Sequence, residues 1–194
     1  MKLIIVRHGE TEENTKDIVQ GHLPGHLTKK GIKQAKAAGL ALKREKIDAI
    51  FSSDLKRTRD TCMEIAKYHS APVYYTRQLR ERNIGIYAGM TGPEVHAMYK
   101  EGMARTGTDS FTFKPEGGES TMEARDRLSR FFQKLYKKYR DKTVLIVTHG
   151  GIIKTIIHLY ENVSLEEAKK IKPENASIRM IKVNDKNIAN RPQT

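Results

Sequence analysis

The sequence predicts an α/β fold, a three-layer α/β/α sandwich with a mainly parallel central sheet and a small cap segment. Short apolar, β-branched runs alternate with longer stretches of helical period, and such alternation gives parallel strands covered by helices on both faces. Two of the runs, Leu3-Ile4-Ile5-Val6 and Val144-Leu145-Ile146-Val147, show no polar alternation, the pattern of a strand buried on both sides. At 194 residues the chain is long enough for one α/β core and short for two, so residues 1–194 read as a single domain.

Taken in chain order, strands are expected at 2–6, 47–51, 72–75, 143–147 and 177–183. Thr28 is placed to cap a helix to about Arg44 that buries Ile32, Ala35, Gly39 and Leu42. Ser53 is expected to cap a helix to about Tyr68, in which Cys62 is a packing residue. Pro93 suits the first turn of a short helix to about Met103. Ser120 or Thr121 opens a long helix to about Arg140, buried through Leu128, Phe131, Leu135 and Tyr139. Gly150 starts another, and a capping box of Ser164 and Glu167 starts the last, which Pro173 follows. The polar tail from Asn187 to Thr194 is expected to fray. Residues 83–118 fit the alternation poorly. Their Gly, Met, Tyr and Phe content suggests a substrate-selecting cap, with Ile84, Tyr87, Met90, Met98, Tyr99, Phe111 and Phe113 offering apolar contact.

A net charge of +13 and a pI near 9.8 fit either a nucleic-acid partner or an anionic substrate. Lys29, Lys30, Lys33 and Lys36, then Lys134, Lys137, Lys138 and Lys142, then Lys169, Lys170 and Lys172 read as solvated helix faces, without interleaved aromatics. Nucleic acid is therefore not expected as a partner. The single cysteine leaves no intramolecular disulfide, the apolar stretch after Met1 is too short for a signal peptide, and no run reaches the roughly 20 apolar residues of a membrane span. A cytoplasmic location without a membrane partner is the expectation.

The chemistry-bearing residues follow strands. Arg7-His8-Gly9-Glu10-Thr11 stands behind the first and Thr148-His149-Gly150-Gly151 behind the fourth, and ligands of open α/β sheets bind beyond the carboxyl ends of the strands. Arg57 lies one turn into the helix after the second strand and Glu81 just after the third. If these strands are neighbours, Arg7, His8, Arg57, Glu81 and His149 converge on one basic pocket holding a single acid. That set suits a phosphoryl group: forked guanidinium groups bind its oxygens bidentately, Asn14 adds a neutral donor, and a neutral imidazole can attack phosphorus. His22, His26, His69, His96 and His158 are assigned to surface or packing, and Glu10 and Glu12 to solvent.

The motif Arg-His-Gly-Glu-Thr at 7–11 with Asn14, Arg57 within Ser52-Ser53-Asp54-Leu55-Lys56-Arg57-Thr58, Glu81 within Leu79-Arg80-Glu81, and Thr148-His149-Gly150 together resemble the histidine phosphatase superfamily, also called phosphoglycerate mutase-like. The resemblance spans nearly the whole chain. It implies a phosphomonoesterase of small phosphorylated metabolites, with His8 the nucleophile that becomes phosphohistidine, Arg7, Arg57 and His149 holding the phosphoryl oxygens, and Glu81 the general acid and base. It further implies phosphate contacts from Asn14, Gln20, Gly21 and the Gly150 backbone, no cofactor, and no metal. Inorganic phosphate would be the product, and the protein a monomer or homodimer. The alternative is a 2,3-bisphosphoglycerate-dependent phosphoglycerate mutase. Family mutases carry a tyrosine three residues after the acid and a lysine eleven after it; here those positions are Ile84 and Gly92, and only Arg105 stands where paired arginines are expected. These departures favour hydrolysis.

Overall fold

The computed structural model describes residues 1–189. Five strands, β1 (Lys2–Arg7), β2 (Ala49–Ser53), β3 (Val73–Thr76), β4 (Thr143–Thr148) and β5 (Ile178–Lys182), form one sheet in the order β3-β2-β4-β1-β5. The first four are mutually parallel, and β5 runs antiparallel to β1. The helices are α1 (Glu12–Thr15), α2 (Lys29–Leu42), α3 (Lys56–Ala66), α4 (Gly92–Thr106), α5 (Thr121–Tyr139), α6 (Gly150–Tyr160), α7 (Leu165–Lys170) and α8 (Asp185–Ala189), with single 3-10 turns at Arg77–Leu79 and Gly85–Tyr87.

Side chains along β1 and β4 alternate between two cores because successive residues of a strand point to opposite faces. Leu3, Ile5, Val144 and Ile146 pack with Leu128, Phe132, Ile153 and Ile156 of α5 and α6. Ile4, Val6, Leu145 and Val147 pack with Ala38, Leu42, Cys62 and Ile65 of α2 and α3. The expected three-layer sandwich is thus built from strands buried on both faces. Parallel pairing of β1 with β4 sets Arg7 beside Thr148, so the residues that come after both strands leave the sheet at the same edge.

Four local expectations are corrected. Ile32 is exposed, and α2 instead buries Gly31, Ala35, Ala38, Gly39 and Leu42. Gly31 takes the first buried place because it lies against the backbone of Gly9 and Glu10, where a Cβ would come within 2.0 Å of the Glu10 carbonyl oxygen. Ser53 does not cap α3, whose N-cap is Leu55 without a side-chain bond. Ser53 closes β2, and its hydroxyl serves the site instead. In α5 it is Phe132 that is fully buried, with Phe131 only packed against the core's edge. Residues 187–189 of the tail expected to fray belong to α8, where Asn187 Nδ2 donates to the carbonyls of Tyr160 and Lys182 and Asp185 accepts from Tyr136 and Arg140; residues 190–194 of that expectation lie outside the described residues. Thr28, Ser120 and Ser164 cap α2, α5 and α7 as expected.

Residues 83–118 leave the sandwich and return to their starting point. Asn83 Nδ2 donates to the Gly117 carbonyl at 2.8 Å, and the Glu119 amide donates to the Asn83 carbonyl at 2.8 Å. Between these points α4 packs Val95, Tyr99 and Met103 on a small core of Ile84, Tyr87 and Phe113.

A Gly31→Ala substitution should therefore cost about 1–3 kcal/mol, the range for overpacking a tight contact, although alanine favours helix. Denaturant unfolding measures this; a neutral or stabilised variant would show that α2 rotates freely at this contact.

Candidate active site

The carboxyl edge of the sheet opens into a cavity of about 790 Å³ whose wall includes Arg7, His8, Asn14, Arg57, Glu81 and Gly150. Gln20 and Gly21 line it as well. Every catalytic or phosphate-contacting residue named from the sequence reaches this wall except His149, which stands behind it, fully buried, with its ring centroid 5.4 Å from that of His8.

His8 Nδ1 lies 2.8 Å from the Gly9 carbonyl oxygen. A carbonyl only accepts, so Nδ1 carries the proton and Nε2 keeps its lone pair, with no bond to the protein. Burial holds the His8 pKa well below the ordinary histidine value, and the positive charges of Arg57 and Arg7 push it further down. The ring is therefore a neutral imidazole with its unprotonated nitrogen available.

His149 has the opposite tautomer. Its Nδ1 accepts from Arg57 Nε at 3.2 Å and its Nε2 donates to Ser53 Oγ at 2.9 Å. Burial, then Arg57 and His8, lower its pKa well below the usual value. Arg57 is only 1% exposed, and a guanidinium so buried needs acceptors around it. Besides His149 it finds the carbonyls of Gly21, Leu23 and Pro24, and burial still draws its pKa down to about 10. Arg57 thus fixes both the loop carrying Gln20 and Gly21 and the orientation of His149.

Arg7 donates from Nη1 to the Pro173 carbonyl at 2.7 Å, while its buried Nε has no acceptor. An orphaned guanidinium N–H in a cavity wall marks a place for an anion. Asn14 directs its oxygen away, accepting from the Thr11 amide and Asn175 Nδ2 at 3.2 Å each, so its own amide nitrogen remains for a ligand. Gln20 Nε2 is engaged by Thr11 Oγ1 at 2.8 Å.

The Glu81 carboxylate accepts from two backbone amides, Arg82 at 2.8 Å and Gly151 in the first turn of α6 at 2.9 Å. Gly151 permits this approach, since a Cβ there would come 2.5 Å from Glu81 Oε1. The loop bearing Glu81 is held at four successive carbonyls: Gln78 and Arg80 by Arg127, Leu79 by Thr148 Oγ1, and Glu81 by His22 Nε2 at 2.8 Å. Arg80 adds a bidentate pair to Asp54, both contacts 2.6 Å.

Several residues of the site escape sequence reasoning. Ser53 and Asn175 brace His149 and Asn14, and His22 braces Glu81, all through contacts between segments far apart in the chain. His96 lines the cavity, and Lys169 and Lys172, exposed as expected of solvated positions, stand at its rim. Ile84, Tyr99 and Phe111 line the cavity as expected, but Tyr87 and Phe113 are each 4% exposed and pack together away from it. Aromatic content alone does not separate a cap's own core from its substrate-facing wall. Among the described residues there is no group of three His, Cys, Asp or Glu suited to a metal ion, and no helix long and apolar enough to cross a membrane.

Known proteins resemble this chain over most of its length. Residues 3–191 match the family model described as histidine phosphatase superfamily (branch 1). Phosphoserine phosphatase 1 of Hydrogenobacter thermophilus is 32% identical over 186 residues, covering 96% of this chain and 88% of that protein. A 2,3-bisphosphoglycerate-dependent phosphoglycerate mutase of Brucella ovis is 30% identical over 175 residues, covering 87% and 85%. The structure of a mycobacterial glucosyl-3-phosphoglycerate phosphatase superposes with a TM-score of 0.79 at 29% identity, covering 92% of this chain and 91% of that one.

Because His8 and His149 are buried neutral while an unfolded chain protonates them near pH 6.5, the unfolded state binds more protons below that pH. Stability should be complete above about pH 6.5 and fall as the pH drops, by up to about 1.4 kcal/mol per pH unit for each ring. Denaturant midpoints between pH 7 and 5 test this, and a His149→Gln protein should show a shallower slope. An unchanged slope would mean that other groups govern the acid side.

Proposed function

Since the chain belongs to the histidine phosphatase superfamily (branch 1), we propose that it is a phosphomonoesterase that hydrolyses small phosphorylated metabolites through a phosphohistidine on His8. The observation that carries this reading is the neutral His8 ring, its free Nε2 in the cavity wall beside the unpartnered Nε of Arg7. A phosphoryl dianion seated there would accept from Arg7 Nε, Asn14 Nδ2, the N–H left over on Arg57 Nη2 and the Gly150 amide at the start of α6.

In the first step the Nε2 lone pair forms the N–P bond as the ester P–O bond breaks, and Glu81 gives its proton to the departing alkoxide. In the second, the Glu81 carboxylate removes a proton from water, the oxygen attacks phosphorus, the N–P bond breaks, and inorganic phosphate leaves with His8 restored. The donors aimed at the phosphoryl oxygens supply the electrostatic stabilisation on which phosphoryl transfer mostly depends. His149 would take part by exchanging its Nε2 bond to Ser53 for a phosphoryl oxygen, while Arg57 keeps its tautomer fixed. Residues 83–118 act as the cap, meeting the rest of the substrate with Ile84, Tyr99 and Phe111.

Relatives named as phosphatases, for phosphoserine and for glucosyl-3-phosphoglycerate, support hydrolysis. Relatives named as mutases keep a second reading in view. Against it stands Ile84, an apolar side chain in the cavity wall where mutases of the family place a tyrosine.

Incubated without added metal with a panel of phosphomonoesters, the protein should release phosphate, and His8→Ala should abolish release. Isomerisation of 3-phosphoglycerate that depends on 2,3-bisphosphoglycerate would replace hydrolysis with the mutase reading. Glu81→Gln should lower kcat/KM, which reports the step that forms the phosphohistidine, by roughly 10²–10⁴ for alkyl esters and much less for p-nitrophenyl phosphate, whose leaving group needs no proton. Equal losses on both would remove Glu81 from the acid's role.

A further inference from the structure

The cavity holds far more positive charge than one phosphoryl group requires. Six cationic side chains line it, Arg7, Arg57, Arg82, Lys154, Lys169 and Lys172, against the single carboxylate of Glu81. Arg7 and Arg57 match the two charges of a phosphoryl dianion. The other four are surplus, and none of them lies within ion-pair distance of a carboxylate among the described residues.

Their local bonds point the same way. Lys154, half-buried on α6 one turn beyond Gly150, donates to the Lys169 carbonyl at 3.0 Å. Lys169 Nζ bonds Ser110 Oγ at 3.0 Å and lies 5.6 Å from the centre of the Phe111 ring. These neutral partners hold the ammonium groups in place without cancelling their charge. Arg82 stacks 5.1 Å from the centre of the Tyr99 ring, and its buried Nη1 and the buried Tyr99 hydroxyl have no partner other than each other. Like charges drawn together and donors left short of acceptors each cost stability, and an anionic ligand group relieves both.

We infer that the substrate's leaving portion carries a second anionic group, a carboxylate or a second phosphate, held by Lys154, Lys169 and Lys172 with Arg82 completing the wall, while Ile84, Tyr99 and Phe111 receive the carbon skeleton between. This rests on the phosphatase reading and narrows its substrate class to esters of acidic alcohols.

The test compares kcat/KM for n-propyl phosphate with those for its ω-carboxylate and ω-phosphate analogues, which share a primary alkyl leaving group. The wild-type protein should prefer at least one charged analogue by about tenfold or more, the scale of a hydrogen bond to a charged group, and whichever is preferred identifies the second anion. In Lys154→Met/Lys172→Met, where the apolar stems are kept, the ratio of charged to uncharged kcat/KM should fall toward unity. The same ratio measured in Arg82→Gln should also fall. Equal rates on all three esters in the wild type, or a preference unaltered in both variants, would overturn the inference. No His8-dependent release of phosphate from any ester of the wider panel would instead refute the phosphatase reading, so the two failures are distinguishable.

Discussion

A guanidinium closed away from water governs the architecture of the site. Arg57 reaches from the first turn of α3 to the end of β4 and to the loop after β1, bonding His149 and the carbonyls of Gly21, Leu23 and Pro24. A buried cation is tolerated only when acceptors surround it, so the loop cannot leave without stranding the charge. The same side chain decides where the His149 proton resides, because Arg57 Nε–H must have an acceptor and Nδ1 is the one available. Loop position, histidine tautomer and the floor of the cavity thus derive from one set of hydrogen bonds. The hydrogen left over on Nη2 is the part of Arg57 still free for a phosphoryl oxygen.

Electrostatics couples affinity for the substrate to readiness of the nucleophile. Burial is the largest cause of the lowered His8 pKa, and the charges of Arg57 and Arg7 deepen it. In the proposed reaction those cations also attract the dianion, so the groups that bring the substrate in are the ones that keep the attacking nitrogen unprotonated. The Gly9 carbonyl completes the arrangement by committing Nδ1 to donation, which leaves Nε2 as the only ring nitrogen able to attack.

The fold and the residues at strand ends are legible in the sequence because their signals are local. A four-residue apolar run is a buried strand, and residues just past the carboxyl end of a parallel strand face the ligand crevice; His8, Arg57 and Glu81 can be placed on that ground without any knowledge of pairing. The features that the sequence does not display depend on how segments meet. Ser53 has the chemistry of an N-cap, and only the position of His149 diverts its hydroxyl. Ile32 fits the apolar stripe of α2, yet the approach of Gly31 to the β1–α1 loop puts Gly31 in the buried place at the start of the helix and leaves Ile32 exposed. Tyr87 and Phe113 are indistinguishable in composition from Tyr99 and Phe111, and their burial results from the closure of residues 83–118 at Asn83 and Gly117.

Charge is the most ambiguous signal of all. A surplus of lysine is ordinary on amphipathic helices, and most of the lysines here do face solvent. Lys169 and Lys172 are exposed as well, but the segment around α7 runs back along the carboxyl edge of the sheet, where Arg7 bonds the Pro173 carbonyl, so these two stand at the rim of the cavity. That bond draws the end of the segment to the first strand, bringing α7 to the mouth of the cavity together with Lys154 of α6. Helical periodicity specifies which residues share a face; it does not specify what that face looks upon, and here the topology sets part of an exposed lysine face at the rim of the cavity.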